Sequence, residues 1–284
     1  MTTTRAYSML PTCLLVLLSA DALNAGAWTQ PLGTGFYKLG SQMLRGNDYY
    51  DRDGNSVLIP TQSEYTLSLY AEFGVRDDLT LVAYVPFYQR ITLNRQIGRD
   101  SGFVYFGGDA AQGIADSEVG ARYRLWQNGS GVVSAALSFG LPVGDDSHPN
   151  GLYTGDGEFN QRLSLLFGRS LYPWPGYFSM GVAYNIRHSG YDDVLRFSAE
   201  AGRRWQRLSV TLRVEALESV DNGDASVHGG AGGLYGNDRR YVGAGVELGT
   251  DVAGDLHLSL GLLRGFRLHN AIDAPTISVG LSTR

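Results

Sequence analysis

From residue 36 onward, apolar and polar positions alternate with a period of two, segment after segment. The clearest case is 116–145. Val119, Ala121, Tyr123 and Leu125 alternate there with Glu118, Gly120, Arg122 and Arg124. Val133, Ala135, Leu137, Phe139 and Leu141 then alternate with Ser134, Ala136, Ser138 and Gly140. Successive side chains of a strand point to opposite faces. The period therefore predicts two strands and argues against a helix. Between them lies Gln127-Asn128-Gly129-Ser130, and an Asn-Gly pair is a strong hairpin signal. Each arm runs about ten residues, longer than most strands of soluble sheets and about what a tilted strand needs to cross a bilayer.

The same unit recurs along the chain. Strand patterns fall at 36–45, 65–73 and 80–87 before the hairpin. After it they fall at 162–170, 178–186, 195–201, 208–216, 242–248, 256–262 and 277–281. In the cleanest, Tyr65, Leu67, Leu69, Ala71 and Phe73 alternate with Thr66, Ser68, Tyr70 and Glu72. Long polar connections are predicted at 46–62, 92–115, 143–160 and 218–238. Short turns follow the even-numbered strands, which places them all at one end. The fold predicted is all-β: a transmembrane antiparallel up-and-down β-barrel of about 12 strands, with short periplasmic turns and longer external loops. Both termini would be periplasmic.

A soluble β-sandwich would alternate too. Its polar faces would meet water, where glycine only weakens a strand. Here the polar face carries Gly120, Gly140, Gly168, Gly181, Gly202, Gly245 and Gly261 among many serines. Small residues suit the crowded concave side of a narrow barrel. Phe73, Trp126, Trp174 and Trp205 fall beside the short turns, and Tyr65, Phe87, Phe159, Tyr184 and Tyr241 fall toward the loops. Two aromatic levels are expected of interfacial girdles.

Composition fits this picture. The chain has 284 residues with 38 Gly and 17 Tyr, against 23 Lys+Arg and 28 Asp+Glu. A net charge of −5 without a basic run argues against nucleic acid as a partner. Residues 1–27 read as a cleavable signal peptide: Arg5, the apolar run 9–20, and Ala25-Gly26-Ala27 as the cleavage site. The barrel domain would then span 28–284, starting at Trp28. The one cysteine, Cys13, lies inside the apolar run and not at its end, where a lipid anchor would need it. After residue 27 no apolar run reaches the roughly twenty residues of a membrane helix.

Parity sends a set of charges to the polar face: Lys38, Glu72, Glu118, Arg122, Arg124, Arg162, Arg187, Arg196, Glu200, Arg213, Glu215 and Glu247. An Arg or Lys facing mid-membrane lipid would cost about 2–4 kcal/mol, so energetics agrees with parity. These charges are expected to line the lumen, either locked in a closed barrel or bordering a wet pore. No catalytic residue, metal site or cofactor is expected. Asp51-Arg52-Asp53-Gly54-Asn55 has the look of part of a calcium loop but lacks the closing glutamate. The glycine-rich 229–236 lacks the lysine of a phosphate loop. His188 and Ser189 are adjacent on the chain and would point oppositely. His257 is expected to be a polar lumen residue.

The residues also carry a resemblance. Phe73-Gly74-Val75-Arg76-Asp77-Asp78-Leu79-Thr80-Leu81 precedes Val85-Pro86-Phe87; Gly120-Ala121-Arg122-Tyr123 and Leu141-Pro142-Val143-Gly144-Asp145 follow. This pattern, mainly over 63–146, resembles the MetA-pathway-of-phenol-degradation family of outer-membrane barrels, thought of as transporters. The resemblance implies a channel for passive uptake of small solutes, aromatic ones included, in a Gram-negative outer membrane. Its partners would be outer-membrane lipids and the barrel-assembly machinery. The chain departs from common barrels by ending in Leu281-Ser282-Thr283-Arg284, without a terminal aromatic. The alternative is a closed barrel that works through its external loops, with an outer-membrane lipid hydrolase behind it.

Overall fold

The structure is a computed structural model that describes residues 26–224, 226–227 and 236–283. The apolar run with Cys13, the glycines at 229–235 and Arg284 lie outside the described residues. The wall consists of β1 (Gly35–Tyr50), β2 (Ser56–Arg76), β3 (Leu79–Leu93), β4 (Ser117–Asn128), β5 (Gly131–Leu141) and β6 (Asn160–Ser170). It continues with β7 (Gly176–Ile186), β8 (Val194–Trp205), β9 (Leu208–Ser219), β10 (Arg240–Ala253), β11 (Leu256–His269) and β12 (Thr276–Thr283). Each strand pairs antiparallel with its neighbours in sequence. Leu39 of β1 registers with both Leu69 of β2 and Leu281 of β12, which closes the sheet on itself. The result is a closed 12-strand antiparallel barrel with no sheet edge.

The connections at 77–78, 129–130, 171–175, 206–207 and 254–255 are short and share one end with the start of β1 and the finish of β12. We call this the turn end and the opposite one the loop end. Period-two alternation decides what faces outward. Leu39, Leu69, Leu137, Leu165, Leu212 and Leu260 are all exposed on the outer wall. Moving such a side chain out of water contributes about 1.5–3 kcal/mol, so this belt is stable only against an apolar surround. Phe73, Trp126, Trp174 and Trp205 are exposed at the turn end, and Tyr65, Phe87, Phe159 and Tyr184 toward the loop end. Tyr241 differs from its expected place: it is inward and buried with Leu217 and Leu268. Its parity is that of Gly243 and Gly245, opposite to the lipid-facing Val242.

The first connection also differs. Residues 46–62 are strand for most of their length, and only 51–55 turn. Beyond β3, the short strands Gln96–Ile97 and Val104–Phe106 form a small hairpin, and Asp109–Gly113 pairs back on β3.

The main apolar cluster sits at the loop end. Ile91, Leu152, Val194, Leu217, Ala271, Ile272 and Ala274 pack together there. Leu152 comes from the connection 142–159, whereas Ile272 belongs to a short strand, Ala271–Asp273, that pairs with the end of β1 and extends the wall there. The middle of the barrel is polar instead, with Thr66, Ser68, Ser138, Ser164 and Ser259 buried on the inner wall.

Candidate functional site: the lumen

At the turn end the residues ahead of β1 enter the barrel. Thr29 Oγ1 donates to the Asp77 carbonyl, and Gly33 N–H donates to the Gly74 carbonyl, which moors the segment on the β2–β3 turn. Farther in, Ser134 Oγ donates to the Ala27 carbonyl at 2.6 Å, and Ala27 is wholly buried against Val132 and Leu166. Trp28 meets Tyr177 edge to face at 5.8 Å. Trp28 also lies over Gly168, where a Cβ would come within 2.7 Å of the indole. Glycine at this point is what lets the ring lie against the wall.

Three of the charges singled out by parity hold this segment. Arg122 donates from Nη1 to the Trp28 carbonyl at 2.8 Å and from Nη2 to Glu72 at 3.0 Å. Glu72 also accepts from Tyr70 and from Gln30 Nε2 at 2.7 Å. Arg124 donates to Thr29 Oγ1 at 3.3 Å. The Arg122–Glu72 pair is almost fully enclosed, so each charge depends on the other.

The other side of the lumen is open. A cavity of about 550 Å³ runs along the inner faces of β7 to β12 and β1. It extends from Pro175, Arg203 and Ser209 at the turn end to Glu215 and Thr276 deeper in. Lys38 pairs with Glu247 at 2.9 Å, and Arg213 pairs with Glu200 at 3.2 Å. All four border the cavity, as does Glu215, and the Arg213 side chain is 45% exposed to it. His257 borders it as well and bonds Asp251, whose carboxylate also holds Arg204.

The remaining four charges lie on the loop side. Arg162 pairs with Glu118. Both border a second cavity of about 110 Å³, together with Arg196 and Arg187. Tyr84 borders both cavities and so stands at the boundary between them. Arg187 lies one residue beyond β7 and binds Asp156 and Glu158 of the connection 142–159. It also lies over the Tyr191 ring at 4.2 Å.

The connection 142–159 has a second tie. Asp116, just ahead of β4, accepts N–H bonds from Gly144 and Asp156, each at 2.8 Å. Burial, and next the neighbouring Asp156 charge, push its carboxyl up to about 7. The Asp51 turn behaves differently. Asp51 accepts from the N–H groups of Asn55 and Asp53, and the Asn55 bond leads in holding its carboxyl below the usual range. Its lone pairs serve its own turn. Asp192, Asp221 and Asp238 approach one another at the loop end, but Asp192 accepts from the Gly223 and Asp238 N–H groups and Asp221 from Arg240.

Two features were not read from the sequence. One is the inward path of 26–34, for which a polar run after an apolar one gives no signal. The other is the chain Ser209–His257–Asp251. Parity placed His257 inward, but its partners depend on the pairing of three strands.

No family model and no curated protein matches the chain. The likeness to the MetA-pathway family therefore rests on the residues quoted above. Among solved structures, the COG4313 outer membrane channel from Pseudomonas putida F1 aligns with a TM-score of 0.66 at 14% identity, covering 91% of this chain and 98% of that one. The translocator domain of autotransporter NalP from Neisseria meningitidis aligns with a TM-score of 0.53 at 12% identity, covering 89% of each chain. At these identities the likeness is one of fold: an outer-membrane-type barrel.

Proposed function

We propose that the protein is a Gram-negative outer-membrane channel for passive uptake of small solutes, aromatic ones included. The observation that carries this reading is the open cavity of about 550 Å³ beside the N-terminal segment. A cavity of about 150 Å³ already admits benzene, so a one-ring solute has room. Its wall carries paired charges of both signs, Lys38 with Glu247 and Arg213 with Glu200, so a polar or weakly charged solute meets compensated partners. In this reading the apolar outer belt lies in lipid, the short turns face the periplasm and the longer connections face outside. The twelve inward charges then have three tasks. Glu72, Arg122 and Arg124 seat the N-terminal segment. Lys38, Glu200, Arg213, Glu215 and Glu247 border the path. Glu118, Arg162, Arg187 and Arg196 organise its loop side.

The second reading, a closed barrel working through its surface loops, is favoured by the apolar cluster over the loop end. Solute flux separates the two. Proteoliposomes should admit one-ring aromatic acids, whose charge slows passage through bare lipid, and should exclude long oligosaccharides. If neither solute enters faster than into protein-free liposomes, the channel reading fails and the surface reading remains.

A further inference from the structure

Three inward residues near the turn end form a hydrogen-bonded chain that solute passage does not require. Asp251 of β10 and His257 of β11 are register partners, and Ser209 of β9 pairs with Gly249, two residues from Asp251 on the same inward face. Asp251 Oδ1 lies 2.8 Å from His257 Nδ1. Ser209 Oγ lies 3.2 Å from His257 Nε2. Chemistry assigns the roles. An ionised carboxylate only accepts, so Nδ1 carries a proton and donates to Asp251. In the neutral ring Nε2 then holds a lone pair, and the Ser209 hydroxyl donates to it.

That order of groups activates a serine: a base within reach of the hydroxyl, and a third group that orients the base. We infer that Ser209 is a nucleophile toward small carboxylic esters that enter the lumen, with His257 as its base and Asp251 as the group that orients the base.

Three further observations support the assignment. Ser209 and His257 both border the large cavity, so the reacting groups face space that a solute can occupy. The second oxygen of Asp251 is held by Arg204, and Arg204 Nε in turn donates to the Gln206 carbonyl at 3.1 Å. The carboxylate is thus fixed from behind. Gly249 keeps the contact open: a Cβ there would lie 2.6 Å from Ser209 Oγ and closer still to His257 Nε2.

The reaction balances with water alone. Ser209 Oγ bonds to the acyl carbon while its proton passes to His257 Nε2. The ester C–O bond breaks, and the alcohol departs with that proton. Water then adds to the acyl carbon and gives a proton to Nε2. The bond to Ser209 breaks, the acid leaves, and Oγ recovers the proton. Asp251 stays ionised and steadies the imidazolium. Ser209, Gly249 and His257 lie within ladder-paired strands, and a ladder N–H is not free to serve as an oxyanion-hole donor. Such a donor is worth about 10²–10³ in rate. Turnover should accordingly be slow, with an acyl-enzyme that accumulates.

The test uses the full protein in detergent micelles with a small fluorophosphonate, and separately with p-nitrophenyl acetate. The expected result is one phosphonyl group, on the peptide that carries Ser209, and a burst of p-nitrophenol followed by slow release. Ser209→Ala should abolish both, and His257→Gln should slow labelling by about 10²-fold or more. Gly249→Ala should suppress labelling with all three groups still in the chain. Heat-shifted mobility in gels reports whether each variant folds. Absence of label in the folded wild type, or label on another residue, overturns the proposal. So does equal labelling of folded His257→Gln, which would make the chain a polar wall contact only. If the variants fail to fold, the position of the wild-type label alone decides. Solute flux and labelling are independent readouts, so either can fail without the other.

Discussion

Arg122 is the most enclosed charge of the wall, with 1% of its side chain exposed, and it joins the barrel to the segment within it. Truncating it leaves Glu72 buried without its countercharge and frees the Trp28 carbonyl. Breaking a buried pair by removing one partner costs about 3–5 kcal/mol. Arg122→Ala should therefore lower the urea midpoint of unfolding in micelles, and a thiol placed at Gln30 should become more reactive. An unchanged midpoint and thiol reactivity would show that the pair does not seat the segment. At this scale the sequence was informative about direction but not about partners. Parity sent Arg122 and Glu72 inward, but Arg122 and Trp28 are 94 residues apart, and no periodicity links them.

At the scale of elements, the first hairpin shows how strand signals fade. Residues 46–62 lack clean alternation and contain Pro60, which argues against a strand. The structure accommodates the proline in an irregularity: the ladder passes from Gly46↔Gln62 to Asp48↔Leu58, so Ile59, Pro60 and Thr61 face Asn47 alone. A bulge needs no ladder N–H from the proline. Alternation is strong where one face meets lipid and weak beyond it, which is why the barrel staves were legible and this extension was not. The connection 142–159 carries a pH prediction. Asp116 titrates near 7 when folded, against 3.8 for a free aspartate, because burial and the Asp156 charge disfavour its ionised form. An acid with a raised folded pKa adds stability at low pH and loses it as pH rises between the two values. Hydrogen exchange of 142–159, corrected for its intrinsic pH dependence, should show protection falling from about pH 4 to about pH 7. Asp116→Asn should flatten that dependence. Protection that rises over the same range would contradict the assignment.

For the whole molecule, closure is the organising fact. Pairing of β1 with both β2 and β12 leaves the twelve-strand wall without a free edge, as a wall within lipid requires. Strand number, alternation and the shared end of the short turns were all visible in the sequence, because lipid imposes them on each stave separately. The contents of the lumen were not. The N-terminal segment, the apolar cover at the loop end and the division of the charges into three groups arise only when distant strands close on one another. Tyr84, which borders both cavities, carries a prediction at this scale. Tyr84→Ala should join the two spaces and raise ion conductance, whereas an unchanged conductance would place the narrowest point elsewhere.

The account turns on whether solutes pass through the lumen beside the N-terminal segment. Single-channel recording in planar bilayers, comparing the wild type with a chain lacking residues 26–32, tests this most directly. The wild type should show small, weakly ion-selective openings. The shortened chain, which loses Trp28 and Gln30 but keeps β1, should conduct severalfold more. Absence of conductance in both, with folding confirmed, would contradict a channel. Equal conductance in both would contradict the place given to the segment.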